Sequence, residues 1–89
     1  MTARVIGRVQ GVGFRWWARR QAEALGLTGW VMNADDERSV QLVAEGEPES
    51  LDELERRLHQ GPSGAHVERV EARRGPASGE WERFGIVRS

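Results

Sequence analysis

The 89-residue chain is long enough for one modest hydrophobic core, and its content of 38% hydrophobic and 30% charged residues is typical of a soluble globular protein. It contains no cysteine, which excludes disulfides, thiolate nucleophiles and cysteine-based zinc sites, and its net charge of −1 disfavours general nucleic-acid binding. No apolar run is long enough for a signal peptide or a membrane span, so we expect a cytoplasmic protein of one domain, residues 1–89, that stands alone.

The first predicted elements are a strand over residues 3–9 and a helix over residues 14–25. Alternation of small or apolar residues with arginines indicates the strand, with Ile6 as the exception. An apolar stripe that starts at Phe14 indicates the helix, and Gly26 suits its C-terminal cap. The first turn of the helix holds Trp16 and Trp17. Both cannot face the core, so we expect one of them near the loop or at the surface.

The middle of the chain predicts a hairpin and a second helix. Residues 27–32 and 39–45 read as antiparallel strands, with Asn33 at the end of the first strand and a polar turn over residues 34–38. The helix over residues 48–60 begins with a proline and has leucines along its inner face. Its acidic residues lie near the N-terminus and its basic residues near the C-terminus, which is the favourable arrangement for the helix dipole.

Two further strands are predicted over residues 65–73 and 81–88. In the first of them, Val67 and Val70 are three positions apart, which breaks strict alternation and indicates a bulge. The complete order is strand, helix, strand, strand, helix, strand, with a short extra strand at the end. This order predicts an α+β fold, the ferredoxin-like split βαβ sandwich (βαββαβ), with two helices on one face of an antiparallel sheet.

The segment between the first strand and the first helix is the main candidate site. Gly11 and Gly13 allow the backbone to curl, and a curled loop that leads into a helix N-terminus turns several N–H groups toward one anion. Arg15 adds a planar fork of donors suited to phosphate. Trp16 stands where a dinucleotide fingerprint needs its third glycine, and a P-loop Gly-Lys-Ser/Thr is absent. On spacing alone, a purely structural strand-to-helix turn explains the glycines equally well.

Two stretches of the chain together resemble a known family. The first is GRVQGVGFR at residues 7–15, and the second is GLTGWVMN at residues 26–33. They are similar to the two signatures of the acylphosphatases, small enzymes that hydrolyse carboxyl-phosphate anhydrides. The resemblance implies metal-independent hydrolysis of an acyl phosphate to a carboxylate and phosphate, with no cofactor.

The resemblance also implies roles for individual residues. Arg15 and Asn33 are the implied catalytic residues: Arg15 holds the phosphate, and Asn33 orients the attacking water, while the substrate's own phosphate takes the proton. A structural hydrogen bond to the loop is the alternative role for Gln10, and a simple turn position is the alternative for Asn33. The predicted phosphate-binding residues are Gln10, Gly11, Val12, Gly13, Phe14 and Arg15.

The chain departs from the family pattern after Asn33. The family usually has a short turn with a glycine, followed by a valine. Here Val40 lies one residue further on, and Glu37 or Arg38 takes the place of the glycine. We therefore expect a longer or bulged turn in which a non-glycine residue has a positive φ, at a cost of roughly 1 kcal/mol.

The alternative function is a non-catalytic ferredoxin-like module that binds a small anion or a partner protein, since related domains occur inside larger carbamoyl-transfer maturation enzymes. An RNA-binding sheet would need aromatic residues that the first and third strands lack. We interpret His59 and His66 as surface residues, and the consecutive Asp35, Asp36 and Glu37 as a solvated turn rather than a metal site. We expect a monomer that acts on a small-molecule acyl phosphate and binds neither nucleic acid nor membrane.

Overall fold

The structure, a computed structural model, describes residues 1–88 and contains five strands and two helices within that range. The second helix and the third strand have the predicted bounds. The first helix ends one residue earlier than predicted, and the last strand begins three residues later and ends one residue earlier than predicted. The elements are β1 (Thr2–Arg8), α1 (Phe14–Ala24), β2 (Thr28–Asn33), β3 (Ser39–Glu45), α2 (Pro48–Gln60), β4 (His66–Arg73) and β5 (Phe84–Val87).

The five strands form one sheet in the order β4-β1-β3-β2-β5. Strands β1 to β4 pair with one another in antiparallel fashion, but β5 runs parallel to β2. The sheet is therefore mixed, and the prediction of an antiparallel sheet is corrected at this edge. The reason is the connection after β4. Residues 74–83 pass along one end of the sheet to the opposite edge, and on the way Ser78 and Gly79 donate hydrogen bonds to Glu45 at the end of the central strand β3.

Both helices pack on one face of the sheet, as the split βαβ arrangement predicts. Helix α1 buries the predicted stripe of Phe14, Ala18 and Ala22. Helix α2 buries its leucines at positions 51, 54 and 58 against the same core. The predicted bulge is also present, because the pairing of β1 with β4 shifts between Ile6 and Gly7. The other face of the sheet carries no helix and leaves Arg4, Ile6 and Trp30 only partly covered.

The turn between β2 and β3 contains the predicted non-glycine residue at positive φ. Glu37 has φ of 62°, and it is the only non-glycine residue with a positive φ among residues 1–88. The left-handed region brings Cβ too close to the following carbonyl oxygen, which costs roughly 1–2 kcal/mol. The turn between β2 and β3 therefore carries this conformational cost at Glu37.

We expect the Glu37→Gly substitution to stabilise the protein. Relief of about 1–2 kcal/mol of strain outweighs the about 0.4–1 kcal/mol that glycine adds to the freedom of the unfolded chain. A net gain of up to about 1 kcal/mol would raise the midpoint of thermal unfolding by several degrees, since about 1 kcal/mol corresponds to roughly 4–8 °C in a domain of this size. Circular dichroism on heating measures the shift. Asp35→Gly, in the same turn without a positive φ, should lower the midpoint, and a lower midpoint for Glu37→Gly would contradict the strain assignment.

Candidate active site

The direction of the strands brings the two candidate segments to the same end of the sheet. Strands β1 and β2 are both antiparallel to β3, which lies between them, so they run in the same direction. The glycine loop follows the end of β1, and Asn33 is the last residue of β2. The sheet topology thus places the loop and Asn33 at one end, although Arg15 and Asn33 are 18 positions apart in the sequence.

The loop between β1 and α1 has the curled backbone that its glycines predict. Gly11 has φ of 74°, and Gly13, the N-cap residue of α1, has φ of 76°. A Cβ at either position would have open space, so the backbone conformation rather than crowding favours glycine there. The first intrahelical bond runs from the Trp17 N–H to the Gly13 carbonyl at 3.0 Å, and no side chain caps the helix. The N–H groups of residues 14–16 precede that bond and remain available to an anion.

Arg15 lies in this first turn and is half-buried. Within residues 1–88 it forms no ion pair, whereas Arg19, one turn further along the same helix, pairs with Glu23 and lies over the ring of Trp16. No acidic residue occupies the first turn of α1. The guanidinium of Arg15 and the dipole of α1 therefore both favour negative charge at the loop.

The two tryptophans of the first turn divide as predicted. Trp16 is 52% exposed, whereas Trp17 packs against the core with its ring centroid 5.3 Å from that of Phe14. Phe14 is almost completely buried. Its side chain thus anchors the start of α1, and its contribution to phosphate binding could come only from its backbone N–H.

Asn33 is the last residue of β2, and its backbone pairs with Val40 of β3. The side chain is half-buried, and its amide forms no hydrogen bond with any other group of residues 1–88. A turn residue of the Asx type would bond its own backbone two residues on, and Asn33 does not. Its donors and acceptor are consequently available to a water molecule or a substrate.

Gln10 joins the loop to the hairpin. Its side-chain Nε2 donates to the carbonyls of Ala34 and Ser39, each at 2.9 Å. The bonding is structural, but it reaches the turn between β2 and β3 and not the loop, to which the alternative role for Gln10 assigned it. Because both donor hydrogens of the amide are used, the side chain has none left for an anion. Phosphate contact by the remaining loop residues, and by the backbone of Gln10, stays a prediction.

Arg4, Asp36 and Ser39 form a polar cluster at the turn that the sequence did not predict. Asp36 accepts hydrogen bonds from the Arg38 N–H at 3.0 Å and from the Ser39 hydroxyl at 2.9 Å, and it pairs with the guanidinium of Arg4 at 2.5 Å. Arg4 also donates to the Ser39 hydroxyl at 3.1 Å. Ser39 is completely buried. A serine at the start of a strand that otherwise carries apolar residues toward the core was the only local signal of this cluster.

The carboxyl group of Asp36 should titrate well below its usual range. The Arg38 N–H contributes most, and the Ser39 hydroxyl and Arg4 act in the same direction, so that the pKa falls from 3.8 to about 2. Since the folded pKa is the lower one, the cluster contributes stability above pH 3.8 and loses it as the pH falls toward 2. We expect the stability difference between the parent and Asp36→Asn to narrow over that interval in urea titrations. A difference that does not vary with pH would contradict the assignment.

The histidines and the remaining acidic residues of the turn supply no metal site. His59 and His66 are exposed. In residues 1–88, no group of three or more histidine, aspartate or glutamate side chains is arranged to hold a metal ion. Neither helix of that range is long and apolar enough to cross a membrane. A shallow cleft lined by Arg4, Trp30 and Glu71 lies on the open face of the sheet, but no helix N-terminus lines it, in contrast to the loop.

Comparison with known proteins agrees with this geometry. Residues 1–86 match the acylphosphatase family. A curated acylphosphatase of Salinibacter ruber is 46% identical over 88 residues, which cover 99% of this chain and 92% of the relative. The crystal structure of acylphosphatase from Bacillus subtilis superimposes with a TM-score of 0.92 at 34% identity, over 97% of this chain and 94% of that one.

A second structural relative is much larger. The crystal structure of T. kodakarensis HypF matches with a TM-score of 0.84 at 30% identity and covers all of this chain, but the match spans only 12% of the HypF chain. The acylphosphatase structures confirm the predicted ferredoxin-like α+β fold, with the fifth strand making the sheet mixed. From the family match and the near-complete coverage of its relatives, the chain belongs to the acylphosphatase family.

Proposed function

We propose that the chain hydrolyses acyl phosphates, cleaving the bond between phosphorus and the bridging oxygen to give a carboxylate and inorganic phosphate. The observation that carries this proposal is the uncapped first turn of α1, which holds an Arg15 without an internal ion pair and is tied through Gln10 to the strand end that carries Asn33. The membership of the family supports the same activity.

Binding of the phosphoryl group would use the positive end of α1. The backbone N–H groups of the loop from Gly11 to Arg15 would surround the terminal oxygens, and the guanidinium of Arg15 would donate two parallel hydrogen bonds to them. The transition state of phosphoryl transfer is largely dissociative, with negative charge spread over the three equatorial oxygens. Fixed donors that hold these oxygens therefore stabilise the reacting group without reorganisation.

Water attack would depend on Asn33. Its side-chain amide can hold one water through a donor or an acceptor, but it cannot remove a proton at neutral pH. The proton of the attacking water would pass to an oxygen of the transferred phosphate. The carboxylate is a weak base and leaves without help from a general acid, so the site needs positioning and charge neutralisation rather than an acid–base pair.

The reaction as proposed requires no metal ion, because Arg15 and the loop amides supply the positive charge. We expect an excess of chelator to leave the rate of acyl phosphate hydrolysis unchanged. A loss of activity that added Mg²⁺ or Zn²⁺ restores would show that a metal takes part and would overturn this assignment.

The test of the function compares two phosphate compounds with the purified chain in the presence of chelator. We expect benzoyl phosphate to be hydrolysed rapidly and p-nitrophenyl phosphate slowly, because the ester's leaving group is a stronger base and no general acid assists it. Absence of hydrolysis above the spontaneous rate would instead favour a non-catalytic module that binds an anion or a partner. The structural match to a small part of the much larger HypF chain is the observation that favours this second candidate.

We also propose that residues 1–89 act as one domain, as a monomer in the cytoplasm, without binding nucleic acid. The net charge of −1 and the absence of cysteine support this setting. Light scattering on the purified chain measures its mass in solution, and a mass near 10.0 kDa is the expected result. A mass of about twice that value would contradict the monomer.

A further inference from the structure

The side chain of Gln10 bridges the base of the hairpin that carries Asn33. Its Nε2 lies 2.9 Å from the carbonyl oxygen of Ala34 and 2.9 Å from that of Ser39. The Ala34 N–H donates to the same Ser39 carbonyl at 2.9 Å, which is the bond that closes the hairpin. Gln10 therefore binds both carbonyls of the Ala34–Ser39 pair, which lies one residue beyond Asn33.

The position of Gln10 in the chain gives this bridge a consequence. Gln10 immediately precedes Gly11, the first glycine of the loop, so one amide group connects the loop to the end of β2. Strands β1 and β2 are not neighbours, because β3 lies between them. Without the bridge, the distance between the loop and Asn33 would depend on the ladders through β3 and on the bond from the Gly7 N–H to the Arg38 carbonyl at 2.9 Å.

We infer that Gln10 is a positioning residue that fixes the water-orienting Asn33 relative to the phosphate loop. This inference rests on the proposed function. It assigns Gln10 a role different from phosphate binding: the side chain holds the hairpin, and the loop and Arg15 hold the phosphate. The half-buried amide has no donor left for the substrate.

The polar cluster holds the same turn from the other side. The Ser39 carbonyl accepts from Gln10, while the Ser39 hydroxyl donates to Asp36 at 2.9 Å and accepts from Arg4 at 3.1 Å. The bonds of Gln10 and of the polar cluster thus meet at Ser39, the first residue of β3, and help to define where the turn ends.

The test replaces Gln10 by methionine, which has similar length and no donor. A displacement of about 1 Å between reacting groups can cost about 10²-fold in rate, so we expect kcat for benzoyl phosphate to fall by about 10- to 100-fold. The inhibition constant of inorganic phosphate should stay unchanged, because the loop and Arg15 remain. The matched control is Gln41→Met, at a half-buried glutamine of β3 whose side chain forms no hydrogen bond within residues 1–88.

Two outcomes would overturn the inference. If phosphate binding weakens in step with kcat, Gln10 is a phosphate ligand. If kcat is unchanged while the midpoint of thermal unfolding falls, Gln10 is merely structural.

A double-mutant cycle with Asn33→Ala tests whether Gln10 acts through Asn33. Adding Gln10→Met to Asn33→Ala should cause little further loss, whereas a full additional loss would show that Gln10 does not act through Asn33.

A second variant and a second readout keep the test independent of folding and of turnover. In Gln10→Glu, a protonated carboxyl can donate one hydrogen bond and an ionised one cannot, so kcat relative to the parent should rise as the pH falls. A ratio of the two kcat values that does not vary with pH would contradict the bridge.

Hydrogen exchange of the Ala34 N–H should accelerate in Gln10→Met even if the chain proves to be inactive on acyl phosphates. Unchanged protection of this N–H would overturn the bridge by itself.

Discussion

Replacing Arg15 by alanine is expected to lower kcat/KM for benzoyl phosphate by about 10²–10³-fold or more, which corresponds to about 2.7–4 kcal/mol of transition-state stabilisation. The guanidinium is the only side-chain cation in the first turn of α1. It forms no ion pair within residues 1–88, so no such pair has to break before it binds a phosphate. Steady-state kinetics in chelator measure the loss. Because the side chain forms no hydrogen bond or ion pair within residues 1–88, the midpoint of thermal unfolding should change little.

The control for Arg15→Ala is Arg20→Ala, which removes the same charge from an exposed position of the same helix. It should retain nearly the parental rate, since five residues along a helix correspond to a rise of about 7.5 Å. Arg15→Lys should recover only part of the activity, because an ammonium keeps the charge but loses the planar fork. Equal activity in the parent and Arg15→Ala would remove Arg15 from the site.

Replacing Asn33 by alanine is expected to lower kcat by a similar factor of about 10²–10³, by analogy with the loss of a single oriented donor in other active sites. The reason differs from that for Arg15. Asn33 would act on the water and not on the phosphate, so inorganic phosphate should inhibit Asn33→Ala and the parent at the same concentration. Steady-state kinetics with phosphate as a competitive inhibitor measure both quantities.

The control for Asn33→Ala is Gln41→Ala, which removes an amide from the same hairpin at the position that pairs with Met32. Its rate should remain close to that of the parent. Circular dichroism should show both variants folded, since the ladder bonds at Asn33 are made by the backbone. A rate loss in Asn33→Ala that is accompanied by an equal loss of phosphate affinity would contradict the separation of roles.

The elements that local patterns predicted well are those whose burial is periodic along the chain. The stripe from Phe14 to Ala22 and the leucines of α2 each repeat every three or four residues, which leaves one consistent choice of buried face. Strand β3 alternates strictly from Val40 to Ala44. The positive φ at Glu37 was predictable to within one residue, because the family pattern that the sequence resembles has a glycine where this chain has Glu37 or Arg38.

The features that the sequence did not reveal depend on contacts between distant segments. The residues of β5 indicate a strand, but nothing in them states that it lies parallel to β2 at the far edge of the sheet. The contacts of Gln10 span 24 and 29 residues, and the pairing of Arg4 with Asp36 spans 32. Such bonds leave no period in the sequence. For the same reason, the cluster at the turn could be read only as solvated charge.

The most direct test of the site is a titration of the ¹⁵N-labelled chain with inorganic phosphate, followed by NMR. If the glycine loop, Arg15 and Asn33 form one phosphoryl site, the largest shifts should fall on the backbone N–H groups of residues 11–16 and on the side-chain amide of Asn33, the only asparagine of the chain. Shifts confined to the open face of the sheet around Trp30, or no shifts at millimolar phosphate, would contradict that assignment.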